Sequence, residues 1–487
     1  MAYDSLADFV KRLEREGELK RIKRAVSPHL EIAEIADRTM KLPGGGPALL
    51  FENVIGSKFP LAINLMGSRK RMSWAVGYDD LEDAAAEIEA LVKLPTDMPA
   101  GLFGKLKLLP QLAQIGQIAP KTITTTNAPC QEVVHTADAN LDDLPILTCW
   151  PGDGGPFITL PLVFTKDEAT GKRNVGMYRI QKQGPRQTGM HWQRHKVGSR
   201  HFAEYESKGR DIPVAIVLGG DPAITFSATA PLPDGVDELV FAGFLRKKPI
   251  ELVRCKTIDM DVPADADFVI EGYVPAGVRE TEGPFGDHTG YYSLADQYPI
   301  FKVTAITHRR GAIYPATIVG PPPMEDKYLG LATERLFLPL VKMILPEVID
   351  YHLPSDGAFH NLALVRIKKR YPGHANKVMH ALWGLGQMMF TKCIVVVDED
   401  VDVQNPGEVV WRTLANLDPE RDITFVKGPV DVLDHASIFP SFGSKMGVDG
   451  TRKWPEEGFT REWPEVLHMD PDIKKRVAAY WRELGIS

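Results

Sequence analysis

Leu160-Pro161-Leu162-Val163-Phe164-Thr165 opens a series of short runs rich in Val, Ile, Phe, Tyr and Thr, with Gly and Pro between them. The others lie at 175–180, 214–218, 268–274, 301–307 and 313–318. Branched and aromatic side chains suit a pleated, half-buried surface. Many such short runs at near-regular spacing predict a barrel or sandwich over about 125–320, not repeated βαβ units. Downstream the texture alternates: a helix near 328–340, a strand at 362–367, a helix near 374–382, a strand at 394–397 and a helix near 407–417. That pattern predicts an α/β layer, with Asp398 at a strand's C-terminal end, where such sheets bind ligands. A last helix starts at Asp470-Pro471, an N-cap followed by Pro at its first position. Its Ile473, Val477, Tyr480, Trp481 and Leu484 form an apolar stripe that suits a partner subunit or the chain's own surface equally. Upstream, Ser5 and Asp8 fit a capping box before Leu6, Phe9, Val10 and Leu13, with Gly17 as the stop. A second helix is expected over 81–92 and a strand at 48–51.

The chain has 487 residues, enough for about three domains. Hydrophobic residues make up 44% and charged residues 25%, a globular balance that excludes wholesale disorder. A net charge of −7 lacks the basic excess of a dedicated nucleic-acid binder. No apolar run approaches the ~20 residues that span a bilayer. Residues 1–5 do not read as the start of a signal peptide. Cys130, Cys149, Cys255 and Cys393 form no C-x-x-C, so neither a zinc ribbon nor a disulfide framework is expected. The expected setting is cytoplasmic. The apolar, weakly basic stretch 102–109 fits a lid, an interface or a peripheral contact at the inner face of the membrane, and equally a helix packed on its own domain.

The P-loop, dinucleotide-fingerprint, zincin and nucleophile-elbow motifs are all missing. Polar groups concentrate instead in three clusters of the strand-rich segment. In Arg173-Asn174-Val175-Gly176-Met177-Tyr178-Arg179, a strand would turn Asn174, Gly176 and Tyr178 to one side and put Arg179 at its far end. An Asn oxygen is a hard ligand for Mg²⁺ or Mn²⁺, and an Arg fork can grip a carboxylate or phosphate. Met190-His191-Trp192-Gln193-Arg194-His195-Lys196 gathers imidazole, indole and cation, suited to an anionic aromatic cofactor. In residues 280–292, Glu282 and Asp287 flank a Gly-Pro-Phe-Gly stretch expected to fold back sharply and aim both acids at one point. Glu238, just before an apolar stretch, has the position of a helix-start charge. Taken singly, each cluster is also compatible with a surface strand, a solvated basic loop or a tight turn.

In this order and at these separations, the clusters resemble the UbiD family of decarboxylases over nearly the whole chain. Residues 17–22, 29–32, 46–53, Cys149-Trp150-Pro151, 282–292 and Gly443-Ser444-Lys445-Met446-Gly447 resemble its ubiquinone-biosynthesis branch, which decarboxylates 4-hydroxy-3-polyprenylbenzoate. The resemblance implies a central split β-barrel flavin-binding domain (121–322) flanked by an N-terminal α/β domain (1–120) and a C-terminal α/β layer domain with a terminal helix (323–487). It implies prenylated FMN, a divalent metal (Mn²⁺ or Mg²⁺) and K⁺ at the phosphate. Asn174 and Glu238 match metal ligands; Met177, Tyr178 and Arg179 match the strand lining the cofactor. His191, Trp192, Gln193, Lys196 and Val197 match the segment at its phosphate. His191 also matches the metal-ligating His of the acrylic-acid decarboxylases, where some ubiquinone-branch members carry Arg. Arg179, Glu282 and Asp287 match the catalytic set, with Asp287 as proton donor. The implied partners are an aromatic carboxylic acid, a flavin prenyltransferase that supplies the cofactor, and further copies of the chain as a dimer or hexamer.

The chemistry fits the implied equipment. Loss of CO₂ from an aromatic acid leaves an in-plane electron pair that no side chain can absorb, so a cofactor is needed. A smaller aromatic or heteroaromatic acid is the alternative substrate, since 102–109 and Met388-Met389-Phe390 would serve a prenyl tail or simply pack. A flavin reductase-like oxidoreductase, a flavin-free metal hydrolase and a non-catalytic assembly subunit are the remaining classes.

Overall fold

The computed structural model describes residues 2–93, 117–125, 127–193, 196–233 and 235–486. The 102–109 stretch, Arg194 and His195 lie outside these. The first helix, Leu6–Arg15, forms as its pattern predicts. The Ser5 hydroxyl accepts the Asp8 N–H at 3.1 Å, and Leu6, Phe9, Val10 and Leu13 are all buried. Leu81–Lys93 is the second expected helix. The N-terminal sheet runs Leu19–Ile22, Ala48–Phe51, Leu61–Ile63, Tyr314–Ala316. Its last strand corrects one expectation: the 313–318 run does not join the central barrel but pairs in parallel with Leu61–Ile63. Tyr314 is almost fully buried there, so the chain returns to the first domain before leaving the second.

The central sheet is antiparallel and strongly curled. Its strand order is Phe157–Ile158, Ile180–Gly184, Gln187–Gly189, Asp296–His308, Phe268–Val274, Ile212–Leu218, Leu162–Lys166, Arg173–Met177. Strands Arg173–Met177 and Ile180–Gly184 lie near opposite ends of this order, yet only Tyr178 and Arg179 separate them in sequence. Met177 and Ile180 are therefore no more than about 11 Å apart. The sheet must curl until its ends nearly meet without pairing, which makes a split half-barrel with Arg179 at the split.

The C-terminal layer has the mixed order Val348–His352, Leu362–Ile367, Cys393–Val397, Phe442–Asp449, Ile423–Pro429. Helices Asp326–Ile344, His374–Trp383 and Pro406–Asn416 accompany it. Asp398 spends its carboxylate on the Arg452 N–H at 2.8 Å, a structural tie. Met388 packs on the core of this layer and Phe390 is buried, so that run is core. The final helix, Pro471–Tyr480, is capped by Asp470 as expected. Its stripe stays largely uncovered within this chain, with Trp481 and Leu484 each 48% exposed. Among the described residues no helix is long and apolar enough to cross a membrane.

Candidate active site

Arg179 is carried by the two-residue link across the split, and four groups converge on it. Its Nε donates to Glu282 Oε1 at 3.1 Å, Nη2 donates to Ser293 Oγ at 2.9 Å, and Nη1 pairs with the Asp287 carboxylate. The guanidinium carbon stacks 4.7 Å from the Phe285 ring centroid. Glu282 is fully buried and Asp287 nearly so. Burial alone would raise the Glu282 carboxyl, but His191 and Arg179 outweigh it and hold it below its ordinary value. Burial works against the Asp287 anion too, yet His288 and Arg179 bring that carboxyl down to about 2. Both acids are thus anions at neutral pH.

The two acids are presented by a long hairpin. Arg279–Glu282 pairs with the start of Asp296–His308, and Phe285–Gly286 pairs with Tyr292–Ser293. The fold-back therefore does not fall on Gly283–Gly286 as expected from sequence. It falls on Asp287–Gly290, where Gly290, at φ 80°, donates its N–H to Asp287 O at 2.9 Å. Gly283 and Pro284 only break the ladder, and Gln181 pins that break by accepting the Gly283 N–H at 2.8 Å.

Asp153, which sequence reasoning passed over, holds the hairpin in place. Its carboxylate accepts from the N–H groups of Cys149, Trp150 and Gly286 at 3.0, 2.9 and 2.8 Å. Trp150 packs against Gly286: a Cβ there would sit 2.2 Å from its Cδ1. Trp150 is fixed in turn by its indole N–H donating to Val319 O at 2.9 Å.

A second group of predicted residues adjoins the split. On strand Arg173–Met177, Asn174 is buried with its amide against the Tyr178 hydroxyl, and its Nδ2 has no hydrogen-bond partner of good geometry. The Tyr178 ring covers Gly176, where a Cβ would come within 2.4 Å of the hydroxyl, so these three residues do share a face. Glu238 begins helix Glu238–Arg246 but is turned inward, accepting the Val175 N–H at 3.1 Å. Burial pushes its carboxyl up to about 7. Met177 is partly buried between two cores. His191 gives Nδ1 to Glu282 Oε2 at 2.8 Å and leaves a buried Nε2 unpartnered. Trp192 packs on Gly198 with its indole N–H unpartnered. Gln193 leads through Lys196 into helix Val197–Ser207, which has no side-chain cap at Lys196 and whose Gly198 N–H meets the Tyr178 hydroxyl. Lys196 is half-buried, and burial lowers its pKa.

These orphaned groups test the fit of the implied cofactor and metal. An unpartnered indole N–H, a half-buried ammonium and a helix N-terminus suit a phosphate. The half-buried Glu238 carboxylate, hydrogen-bonded to the residue after Asn174, and the free His191 Nε2 are donors of the kind that suit a hard divalent cation. Among the described residues no three His, Cys, Asp or Glu side chains cluster as a metal site, so a cation here would depend on the Asn174 oxygen. The residues present fit both groups.

The chain matches three domain families in succession. They are the 3-octaprenyl-4-hydroxybenzoate carboxy-lyase N-terminal domain over 10–91, the Rift-related domain over 121–322 and the C-terminal domain over 327–450. It is 52% identical over 485 residues to an uncharacterized protein of Aquifex aeolicus (strain VF5), covering 99% of both chains. Its fold is similar to the UbiD-class enzyme HmfF from Pelotomaculum thermopropionicum in complex with FMN, at 31% identity and TM-score 0.81 over 98% of this chain and all of that one. An evolved dimeric form of HmfF holds prFMN. It is also similar to vanillic acid decarboxylase of Sedimentibacter hydroxybenzoicus in closed form, at 28% identity and TM-score 0.86 over 100% of each chain. The open form of that enzyme gives TM-score 0.79. With family matches along most of its length and decarboxylases as structural neighbours, this chain belongs to the UbiD family of carboxy-lyases.

Proposed function

We propose that this chain removes CO₂ from an aromatic carboxylic acid without oxidation, using prenylated FMN and a divalent metal. The leading substrate is a 4-hydroxy-3-polyprenylbenzoate, giving a 2-polyprenylphenol in ubiquinone biosynthesis. The observation that carries the reading is the Glu282–Arg179–Asp287 network at the split of a flavin-family barrel. The bound cofactor supplies the electron sink that the departing carboxylate's carbon requires. Asn174, Glu238 and His191 Nε2 would hold Mn²⁺ or Mg²⁺. Trp192, Lys196 and the backbone from Val197 would hold the phosphate, with K⁺ as its further counter-ion.

Arg179 orients the substrate carboxylate or the acids around it. Asp287 delivers the proton to the ring carbon that lost CO₂, so it must be neutral at that moment. Its low resting pKa means that the proton reaches it late, when substrate takes up part of Arg179's charge. Glu282 couples Arg179 to His191 and keeps both in place.

A smaller hydroxylated aromatic acid is the second reading, favoured by the likeness to a vanillic acid decarboxylase over the full chain. The deciding experiment is co-expression with a flavin prenyltransferase, followed by absorbance, cofactor mass and CO₂ release. The assay set includes 4-hydroxy-3-polyprenylbenzoates, vanillate and unsubstituted benzoates. Turnover of prenylated acids alone supports the first reading, and turnover of vanillate alone the second. A loaded protein that releases CO₂ from none of them overturns both.

A further inference from the structure

The acid at 287 does not stand alone on its far side. Asp287 Oδ1 lies 2.9 Å from His288 Nδ1, and His288 Nε2 lies 3.5 Å from Nδ1 of His360. The two imidazoles meet edge to face with centroids 5.3 Å apart. His288 belongs to the central barrel, whereas His360 comes from the C-terminal layer, in the loop between Ser355–Gly357 and strand Leu362–Ile367. That loop is held in a costly shape. Ala358 and Phe359 adopt φ of 45° and 61°, a left-handed region where the Cβ of a non-Gly residue crowds the carbonyl. The Phe359 ring is pressed onto Gly330 of the long helix, where a Cβ would meet it at 2.8 Å. His360 then enters the C-terminal sheet by accepting the Lys392 N–H at 3.0 Å. Backbone strain of this kind persists where its surroundings over-determine it, here around one imidazole aimed at the catalytic hairpin.

Resting on the decarboxylase reading, we propose that His288 is the proton reservoir for Asp287, and that His360 positions and charges it only when the C-terminal layer is seated on the barrel. His288 holds two protons, giving Nδ1–H to Asp287 and Nε2–H to the neutral His360. In turnover the Nδ1 proton passes to the Asp287 carboxylate, and Asp287 gives its proton to the ring carbon as CO₂ departs. His288 is left neutral with Nε2–H still on His360, and a solvent proton restores it once the layers part. One proton from water thus replaces one carboxyl group. Over the whole chain the fold is more similar to the closed form of the vanillic acid decarboxylase, at TM-score 0.86, than to its open form, at 0.79.

The charges around the pair favour this placement of the proton. Burial opposes the His288 cation, but Asp287, Asp326 at the start of the long helix and Asp431 of the C-terminal layer together raise its pKa. Burial lowers the pKa of His360 despite Asp431, Asp434 and Asp287, and the His288 charge lowers it further. His288 is therefore the cation and His360 the acceptor.

The test uses the full chain and two variants. His360→Leu removes the acceptor; His360→Asn keeps an oxygen near the Nδ1 position. In imidazole NMR of the cofactor-free protein, His360→Leu should lower the His288 titration midpoint by about one pH unit, and His360→Asn should restore most of it. In the loaded enzyme, the alkaline limb of kcat should shift down by the same amount, so His360→Leu loses about 10-fold at high pH and little at low pH. An unchanged His288 midpoint with a thermal midpoint equal to the parent's overturns the proposal. A loss that is equal at every pH assigns His360 a structural role and overturns it too. If no aromatic acid yields CO₂, the function falls, while the NMR measurement still decides the contact.

Discussion

Arg179 and Asp287, 108 residues apart in sequence, form a buried ion pair across the split of the barrel. The pair exists because the two ends of one curled sheet approach each other, and the hairpin tip closes over the gap. Each partner is needed to keep the other's charge tolerable in a buried site.

Asp287→Asn should lower turnover by about 10²–10⁴-fold, the usual worth of a positioned proton donor, while cofactor loading is unchanged. CO₂ release and the bound chromophore's absorbance, measured on one preparation, separate the two effects. A variant as fast as the parent would remove Asp287 from the reaction.

The same pair has a pH signature. The folded Asp287 carboxyl sits near 2, below its ordinary value of 3.8. Its contribution to stability is therefore complete above about pH 4 and lost as the pH falls towards 2. Urea midpoints of parent and Asp287→Asn should differ at pH 6 and converge across that window. A constant difference down to pH 2 would show that the ionised pair adds nothing.

Gly286→Ala places a methyl group 2.2 Å from the Trp150 ring and must move either the indole or the hairpin. Overpacking of this kind costs about 1–3 kcal/mol, and turnover should fall with it because Asp287 is the next residue. Adding Trp150→Ala should recover part of the stability, giving a non-zero coupling energy in a double-mutant cycle. Additive losses would mean that the two residues do not compete for space.

Asp153→Ala strips three backbone N–H groups of their acceptor and should destabilise the chain by about 1–3 kcal/mol. Turnover should fall more than loading, since the hairpin loses its register against the Trp150 loop. Chemical denaturation and single-turnover rates check both. Parent-like values would move the anchoring of the hairpin elsewhere.

Glu282→Gln addresses what His191 does. Glu282 orients the His191 ring through Nδ1, so if Nε2 binds the metal, losing the carboxylate should weaken Mn²⁺ binding by about 10–100-fold. Calorimetric titration of Mn²⁺ into parent, Glu282→Gln and Glu238→Ala measures this directly. Loss in Glu238→Ala alone would leave His191 to the phosphate.

The local signals were legible in the chain. Hydroxyl and carboxylate caps, Gly stops and runs of branched residues act within a few positions, so strands such as Phe268–Val274 and Leu362–Ile367 coincide with the expected ones. The order of polar clusters likewise pointed to the family, and with it to Arg179, Glu282 and Asp287. Pairing between distant strands was not legible, because apolar runs look alike whichever sheet they enter. Tyr314–Ala316 therefore joined the first domain, against expectation.

What the sequence determined alone was many of the helices and strands and which side chains carry charge, since these follow from neighbours three or four positions away; helices Glu31–Met40, Arg69–Ala75 and Val197–Ser207 were not read from it. Only the tertiary structure decided that the barrel splits at Arg179, that Asp153 holds the hairpin carrying Glu282 and Asp287, and that His360 faces His288 from the C-terminal layer. Those relationships depend on how far a sheet curls and where two layers meet, quantities set by packing over hundreds of residues and written in no local run of the chain.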